Sequence, residues 1–219
     1  MIIIGLADVH GNSASIEKMK DVLDAADVIL LVGDITNFGK ELDLVKVIEP
    51  ITHHSGKMYA VSGNCDYKEV DFYLDKLNVN LHGKGKVFNG IGFVGLGGSL
   101  ITPFHTPNEL TEDEIEFYLN QGYSQVPSDI PTVLISHQPP VKTKCDRINS
   151  GDHVGSSAVR NFIERHQPVI CFTGHIHESI GVDKIGDTQI INPGMLIRGR
   201  YAYAEISEKV ETIEIRRIT

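Results

Sequence analysis

The stretch Ile2-Ile-Ile-Gly-Leu-Ala-Asp-Val-His10 decides how the rest of the chain is read. An unbroken apolar run ends abruptly at Asp8. A strand with one wet face alternates polar and apolar residues, so a continuous apolar strand is covered on both faces, as in parallel sheets flanked by helices. The run is short, lacks a basic leader and stops at a carboxylate, so it reads as a buried strand and not as a secretion signal. Asp-x-His placed just beyond such a strand puts two metal-binding side chains at its carboxyl end, where parallel sheets gather their ligands.

The same grammar repeats along the chain. Val28–Val32 and Met58–Val61 read as strands, and Ser13–Ala25, Gly39–Glu49 and Tyr67–Lys76 as the helices between them, which predicts βαβ units and a parallel sheet. Lys84–Phe88 and Gly92–Leu96 flank Asn89-Gly90, a hairpin signal. Thr111-Glu-Asp-Glu114 is a capping box that opens a helix to about Asn120. Pro131–Ser136 and Val169–Thr173 are further buried strands, joined by a long loop and a helix near Ser156–His166. From Glu178 onward the pattern is short strands: Thr188–Ile191, Tyr201–Ile206 and Val210–Ile215. With no internal repeat or linker, one domain over 1–219 is the economical reading, with two packed sheets and helices outside.

Bulk properties narrow the function. The chain has 219 residues, 41% of them hydrophobic, enough for a substantial core. No window approaches the ~20 apolar residues of a membrane span, so no membrane partner is expected. Three cysteines without tight spacing give no disulfide framework, and a reducing cytoplasm is the default location. A net charge of −9 argues against a general nucleic-acid coat, although bound metal ions can reverse the local field and hold a single phosphate. A homo-oligomer is compatible with the sequence.

Polar residues concentrate where buried strands end: Asp8 and His10, then Gly33-Asp34, Asn64, His137, and finally Gly174-His-Ile-His177. Each alone is ordinary. Gly and Asp are turn residues, and a single His is commonly a satisfied or surface one. Their joint placement at five strand ends is not ordinary, and it predicts that they converge. Imidazole nitrogens with carboxylate oxygens suit Mn, Fe, Zn, Ni or Co, with Mn the first expectation, and the all-oxygen set that suits Ca is absent. Four His, two Asp and an Asn carbonyl suffice for two ions about 3.5–4 Å apart, with Asp34 the natural bridge. A water between two such ions would lose a proton near neutral pH and could attack phosphorus in line.

This order of motifs resembles the calcineurin-like metallophosphoesterase superfamily, carried by Asp8-Val-His10, Gly33-Asp34, Gly63-Asn64-Cys65-Asp66, His137 and Gly174-His-Ile-His177. A narrower resemblance is to the Icc-related phosphoesterases, through Gly97–Phe104, Asp152–Ser156, Gly174–Ser179 and Asn192-Pro-Gly194. The resemblance implies an α/β fold of four α/β/β/α layers, two mixed sheets sandwiched by helices. It implies that Asp8, His10 and His177 hold one metal, that Asn64, His137 and His175 hold a second, and that Asp34 bridges them. Two departures matter. Asn37 stands where the family commonly has a second Asp after Gly-Asp. Cys65 stands where the family commonly has a His that contacts phosphate and helps the leaving group depart. The loss of that acid points to a phosphodiester or small nucleotide-like substrate; a phosphomonoesterase or protein phosphatase is the alternative, and a non-catalytic scaffold a further one.

Several residues carry expectations of their own. Cys65 reads as a nucleophile, a ligand, a redox thiol or filler when taken alone; beside its neighbours, the weight moves to Asn64. Asp66 is expected to support the site or cap the next helix. His153 is a candidate phosphate or leaving-group contact in place of the missing His. Phe104, His105 and Glu109 form a lid or specificity wall, or simply an exposed loop. Arg198 and Arg200 are candidates for reaching phosphate, with strand-end solvation as the simpler role. Cys145 and Cys171 read as inert.

Overall fold

A computed structural model describes residues 1–207 and 209–218. The three apolar runs that open the chain form β1 (Ile2–Leu6), β2 (Val28–Val32) and β3 (Lys57–Val61), paired in parallel. β12 (Arg200–Ile206) returns antiparallel to β1, and β13 (Val210–Arg217) completes a mixed sheet of order β13-β12-β1-β2-β3. The second sheet has order β10-β11-β9-β8-β5-β4, from β4 (Gly85–Phe88), β5 (Ile91–Leu96), β8 (Thr132–Ser136), β9 (Ile170–Thr173), β10 (Gly181–Ile185) and β11 (Thr188–Asn192). β6 (Ser99–Leu100) and β7 (Glu109–Leu110) form a small separate parallel pair.

The period-2 alternation of strands assigns each residue to a layer. Ile3, Leu30 and Val61 of the first sheet meet Phe93, Val133 and Phe172 of the second in a sheet-on-sheet core. Their neighbours Ile4, Ile29 and Ala60 face the other way, against Leu44, Val47 and Leu74 of helices α3 (Glu41–Thr52) and α4 (Lys68–Lys76). Val94, Leu134 and Cys171 face Ile115, Leu119 and Phe162 of α5 (Glu112–Tyr123) and α6 (Ser157–His166). The expected four layers, two mixed sheets flanked by helices, are therefore present, and Cys171 is an ordinary member of the outer core.

Some boundaries differ from expectation for visible reasons. The helix expected over Ser13–Ala25 is two pieces, α1 (Ser13–Glu17) and α2 (Lys20–Asp24), separated by an i→i+3 turn in which Met19 N donates to Ile16 O. Asn12 caps α1 by accepting from Ser15 N. α3 runs through Pro50, because Ile51 still buries its side chain. α5 begins at the expected capping box but continues one turn past Asn120. β10 was not expected; it forms a two-residue hairpin to β11 through Gly186-Asp187, with Gly186 at φ 59°. The Asn89-Gly90 hairpin is as expected, with φ of 48° and 77°. Among the described residues no helix is long and apolar enough to cross a membrane.

Candidate metal centre and its cavity

The carboxyl ends of β1, β2, β3, β8 and β9 meet along the seam between the sheets. The chain keeps its ladder going for a few residues past the strands: Asp8 N donates to Gly33 O, His10 N to Asp34 O, and Gly174 N to His137 O. To turn side chains into the seam, the backbone leaves its ordinary region. Asp8, His10, Asp34 and His175 have φ of 51°, 48°, 45° and 66°. Such left-handed non-glycine residues cost free energy and cluster at functional sites.

Two donor groups result, and Asp34 joins them. In one, His10 Nε2 lies 3.2 Å from His177 Nε2, and His177 Nε2 lies 3.3 Å from Asp8 Oδ1. One ligand atom from each of Asp8, His10, Asp34 and His177 falls within 4.8 Å of the others. In the other, His137 Nε2 lies 3.1 Å from Asn64 Oδ1, and the His137 and His175 rings are 5.2 Å apart. Asp34 turns Oδ2 toward His10 at 3.7 Å and Oδ1 toward His137 at 3.5 Å. Asp8 Oδ1 accepts from His175 N, while its buried Oδ2 has no hydrogen-bond partner among the described residues.

Glycines make these approaches physically available. A Cβ on Gly33 would lie 2.2 Å from His137 Nδ1, and one on Gly63 would lie 2.1 Å from Asp34 N and Oδ1. Gly-Asp and Gly-Asn are thus packing requirements here as well as turn chemistry.

Electrostatics prepare the donors. Burial opposes charge on His137, but Asp34 beside it outweighs that and raises its pKa to about 9. Burial likewise opposes ionisation of Asp34, and His137 overcomes it, holding the carboxylate well below its usual range. Burial pushes His175 down to about 4 and lowers His10, so both are neutral at neutral pH and have a lone pair to offer. His137 Nδ1 faces Val32 O at 2.9 Å. A carbonyl can only accept, so Nδ1 carries a proton, and Nε2 is the nitrogen left to a metal, which would displace the second proton that Asp34 favours there.

A family model for the calcineurin-like phosphoesterases matches residues 1–179. The chain belongs to the calcineurin-like phosphoesterase family. An uncharacterized protein of Methanocaldococcus jannaschii resembles this phosphoesterase over most of its length, 40% identical over 197 residues that cover 88% of each chain. A UPF0046 protein of Caenorhabditis elegans is 28% identical over 219 residues, 90% of this chain and 70% of that one. A crystal structure of a Thermus thermophilus protein shares the fold at a TM-score of 0.78 and 18% identity, covering 100% and 99% of the two chains. A purple acid phosphatase from yellow lupin seeds shares it at 0.53 and 10% identity, over 88% of this chain and 43% of that one.

The donor set fits the divalent metals on which this phosphoesterase family depends. Asp8 Oδ2 is buried with no partner among the described residues, and two imidazole nitrogens approach to 3.2 Å beside the Asp8 and Asp34 carboxylates, a donor set that suits a cation. Sequence reasoning missed the device that aims Asn64. Thr106 N and Oγ1 donate to Glu109 Oε1, both at 2.8 Å, and Thr102 Oγ1 donates to the same oxygen at 2.6 Å. Burial works against ionisation of Glu109, but these donors win and hold it near a pKa of about 2. A carboxylate only accepts, so the Thr106 hydroxyl must point at Glu109 and accept in turn from Asn64 Nδ2 at 3.1 Å. That leaves Asn64 Oδ1 facing the metal side.

The centre opens into a cavity of about 760 Å³, lined in part by Asp34, Asn64, Cys65, His175 and His177. Cys65 N donates to Asp34 Oδ1 at 2.8 Å, which helps fix that carboxylate. Burial, then Asp34, pushes the thiol pKa far up, so Cys65 is neutral and no thiolate nucleophile.

Two further residues expected at the site lie outside the cavity lining, and Asp66 takes the supporting role expected of it. Asp66 does not line the cavity and does not cap α4, whose preceding residue is Tyr67. It is fully buried and accepts from Gly63 N, Ile35 N, Thr36 N and Thr36 Oγ1, tying the loop after β2 to the loop after β3. Burial, then Asp34, raises its pKa to about 6. His153 also stays out of the cavity lining; its Nδ1 pairs at 2.7 Å with buried Asp146, because the intervening loop closes on that carboxylate through Lys142 N, Thr143 N and Gly155 N. Arg198, Arg200, His105 and Asn37 are outside the lining as well.

Proposed function

We propose that the protein hydrolyses a small phosphodiester using two divalent ions, Mn first among them. Asp8, His10 and His177 would hold one ion, Asn64, His137 and His175 the other, and Asp34 both. The observation that carries this reading is the division of Asp34, one oxygen toward His10 and the other toward His137. The metals supply Lewis acidity toward a phosphoryl oxygen and a water acidic enough to attack phosphorus near neutral pH.

The chain's own residues orient and hold. Val32 O sets the His137 tautomer, Thr106 and Glu109 aim the Asn64 carbonyl, and Cys65 N positions Asp34. Cys65 supports the diester preference. It stands where the family resemblance implies an imidazole acid, and its neutral, buried thiol is a poor proton donor, so no strong acid assists departure from a monoester. The test is a pair of substrates with one leaving group, a 4-nitrophenyl diester and 4-nitrophenyl phosphate, assayed with Mn. We expect kcat/KM for the diester to exceed that for the monoester at least tenfold; preference for the monoester overturns the assignment.

A further inference from the structure

Beside the metal donors, much of the cavity lining is carbon. Phe38, Ile101, Pro103, Phe104, Ile148 and Val154 line it. Phe38, Ile101 and Phe104 are 53%, 67% and 82% exposed, a concentration of large apolar side chains at one mouth. Apart from the exposed Asn149 amide, the neutral polar side chains beyond the donor set are already committed. Gln138 Oε1 accepts from Leu100 N and its Nε2 donates to Val154 O, so both ends brace the wall. The Thr102 and Thr106 hydroxyls donate to Glu109, and the Ser150 hydroxyl donates to Asp152. Among the described residues, no Lys or Arg lines the cavity, and Glu178 adds a carboxylate. The volume of about 760 Å³ lies within the range of about 300–1,000 Å³ common for small-molecule sites, and it is far more than a phosphate needs.

We propose that this wall recognises an uncharged apolar substituent, aromatic or aliphatic, on the phosphodiester, with Phe104 and Ile101 as specificity-determining residues. The inference rests on the phosphodiesterase reading above and deepens it. A second anionic group would meet no cation on this side and would face Glu178, so polyphosphates and nucleic-acid backbones are poor occupants. An apolar group displaces water from carbon, and the Glu109 clamp on the loop that carries Phe104 means little ordering is needed on binding.

The probes are dimethyl phosphate, methyl phenyl phosphate and 4-carboxyphenyl methyl phosphate, with binding to the metal-loaded protein measured by calorimetry. Methyl phenyl phosphate should bind about tenfold or more tightly than dimethyl phosphate, and the carboxylate should abolish the gain. Phe104→Ala and Ile101→Ala should each reduce the phenyl-to-methyl ratio; both side chains are exposed, so folding is not at stake. Equal binding of the three probes by a protein that does hydrolyse diesters overturns the apolar wall alone. A clear phenyl preference without any diester turnover upholds the wall and overturns the phosphodiesterase reading. Neither preference nor turnover overturns both.

Discussion

The donor side of the site is made of buried charge on strained backbone, whereas the apolar lining of the adjoining cavity is exposed carbon on loops, that of Phe104 held by one carboxylate. Asp8, Asp34 and His137 are 0–2% exposed, and Asp8 and Asp34 sit at positive φ; Phe104 is 82% exposed on a loop where left-handed backbone falls at His105. On the donor side most atoms are held by several partners, so small changes should be severe. On the carbon side only shape and apolar area count, so changes should be graded. The contrast separates two kinds of requirement: precise placement for chemistry, approximate complementarity for choice of substrate.

The largest effect should come from Asp34→Asn, which keeps the shape but removes the shared charge. We expect turnover to fall by about a thousandfold or more and metal content to drop, read by kinetics and elemental analysis. Full activity with intact metal loading would break the comparison outright. Next is Gly63→Ala, whose new Cβ would lie 2.1 Å from Asp34 N and Oδ1. Urea denaturation should show a loss of about 3 kcal/mol or more, beyond that of an ordinary surface change. Thr106→Val leaves the Asn64 amide free to turn, and should weaken metal binding or activity by about 10–100-fold without loss of stability, with Thr106→Ser restoring it. A Val variant that titrates metal like the parent would remove Thr106 from the account.

Asp71 sharpens the comparison from outside the cavity. Burial raises its pKa from 3.8 to about 6, and its buried Oδ1 has no hydrogen-bond partner among the described residues. The native state therefore holds this proton more tightly than the unfolded chain, so Asp71 lowers stability progressively as pH rises from about 4 to about 6, and the loss persists above that. Asp71→Asn should remove that fall and stabilise by about 1–3 kcal/mol at pH 7 relative to pH 4, measured as the difference between variant and parent. This half-buried carboxylate, unlike Asp34, should be dispensable. The smallest effect belongs to Cys65→Ala: the backbone N–H that fixes Asp34 survives, and we expect a change of at most a few-fold in kcat. Complete loss of activity would give the thiol a role that its neutral state does not provide.

The candidate metal-binding side chains were legible because their chemistry is local. Asp-x-His, Gly-Asp and Gly-His-x-His each announce metal-binding atoms directly after an apolar run, and a parallel sheet brings such ends together. The layers were legible for a similar reason, since continuous apolar strands demand cover on both faces. The partners of His153 and Asp66 were not legible, because they are remote or hidden in loops: Asp146 holds one, and the backbone amides of residues 35 and 36 hold the other. β10 escaped notice because its pairing depends on β11, and because its own residues Gly181, Asp183 and Lys184 carry a weak strand signal.

By itself, then, the amino-acid order determined the alternation of strands and helices and the set of side chains able to bind metal, since both follow from each residue and its near neighbours. Only the tertiary structure decided which oxygen of Asp34 faces which histidine, why Gly33 and Gly63 cannot carry a side chain, how Glu109 and Thr106 aim Asn64, and that donors and exposed carbon share one cavity. Those are distances between residues tens of positions apart, created when two sheets pack and their carboxyl edges meet, and no local pattern encodes them.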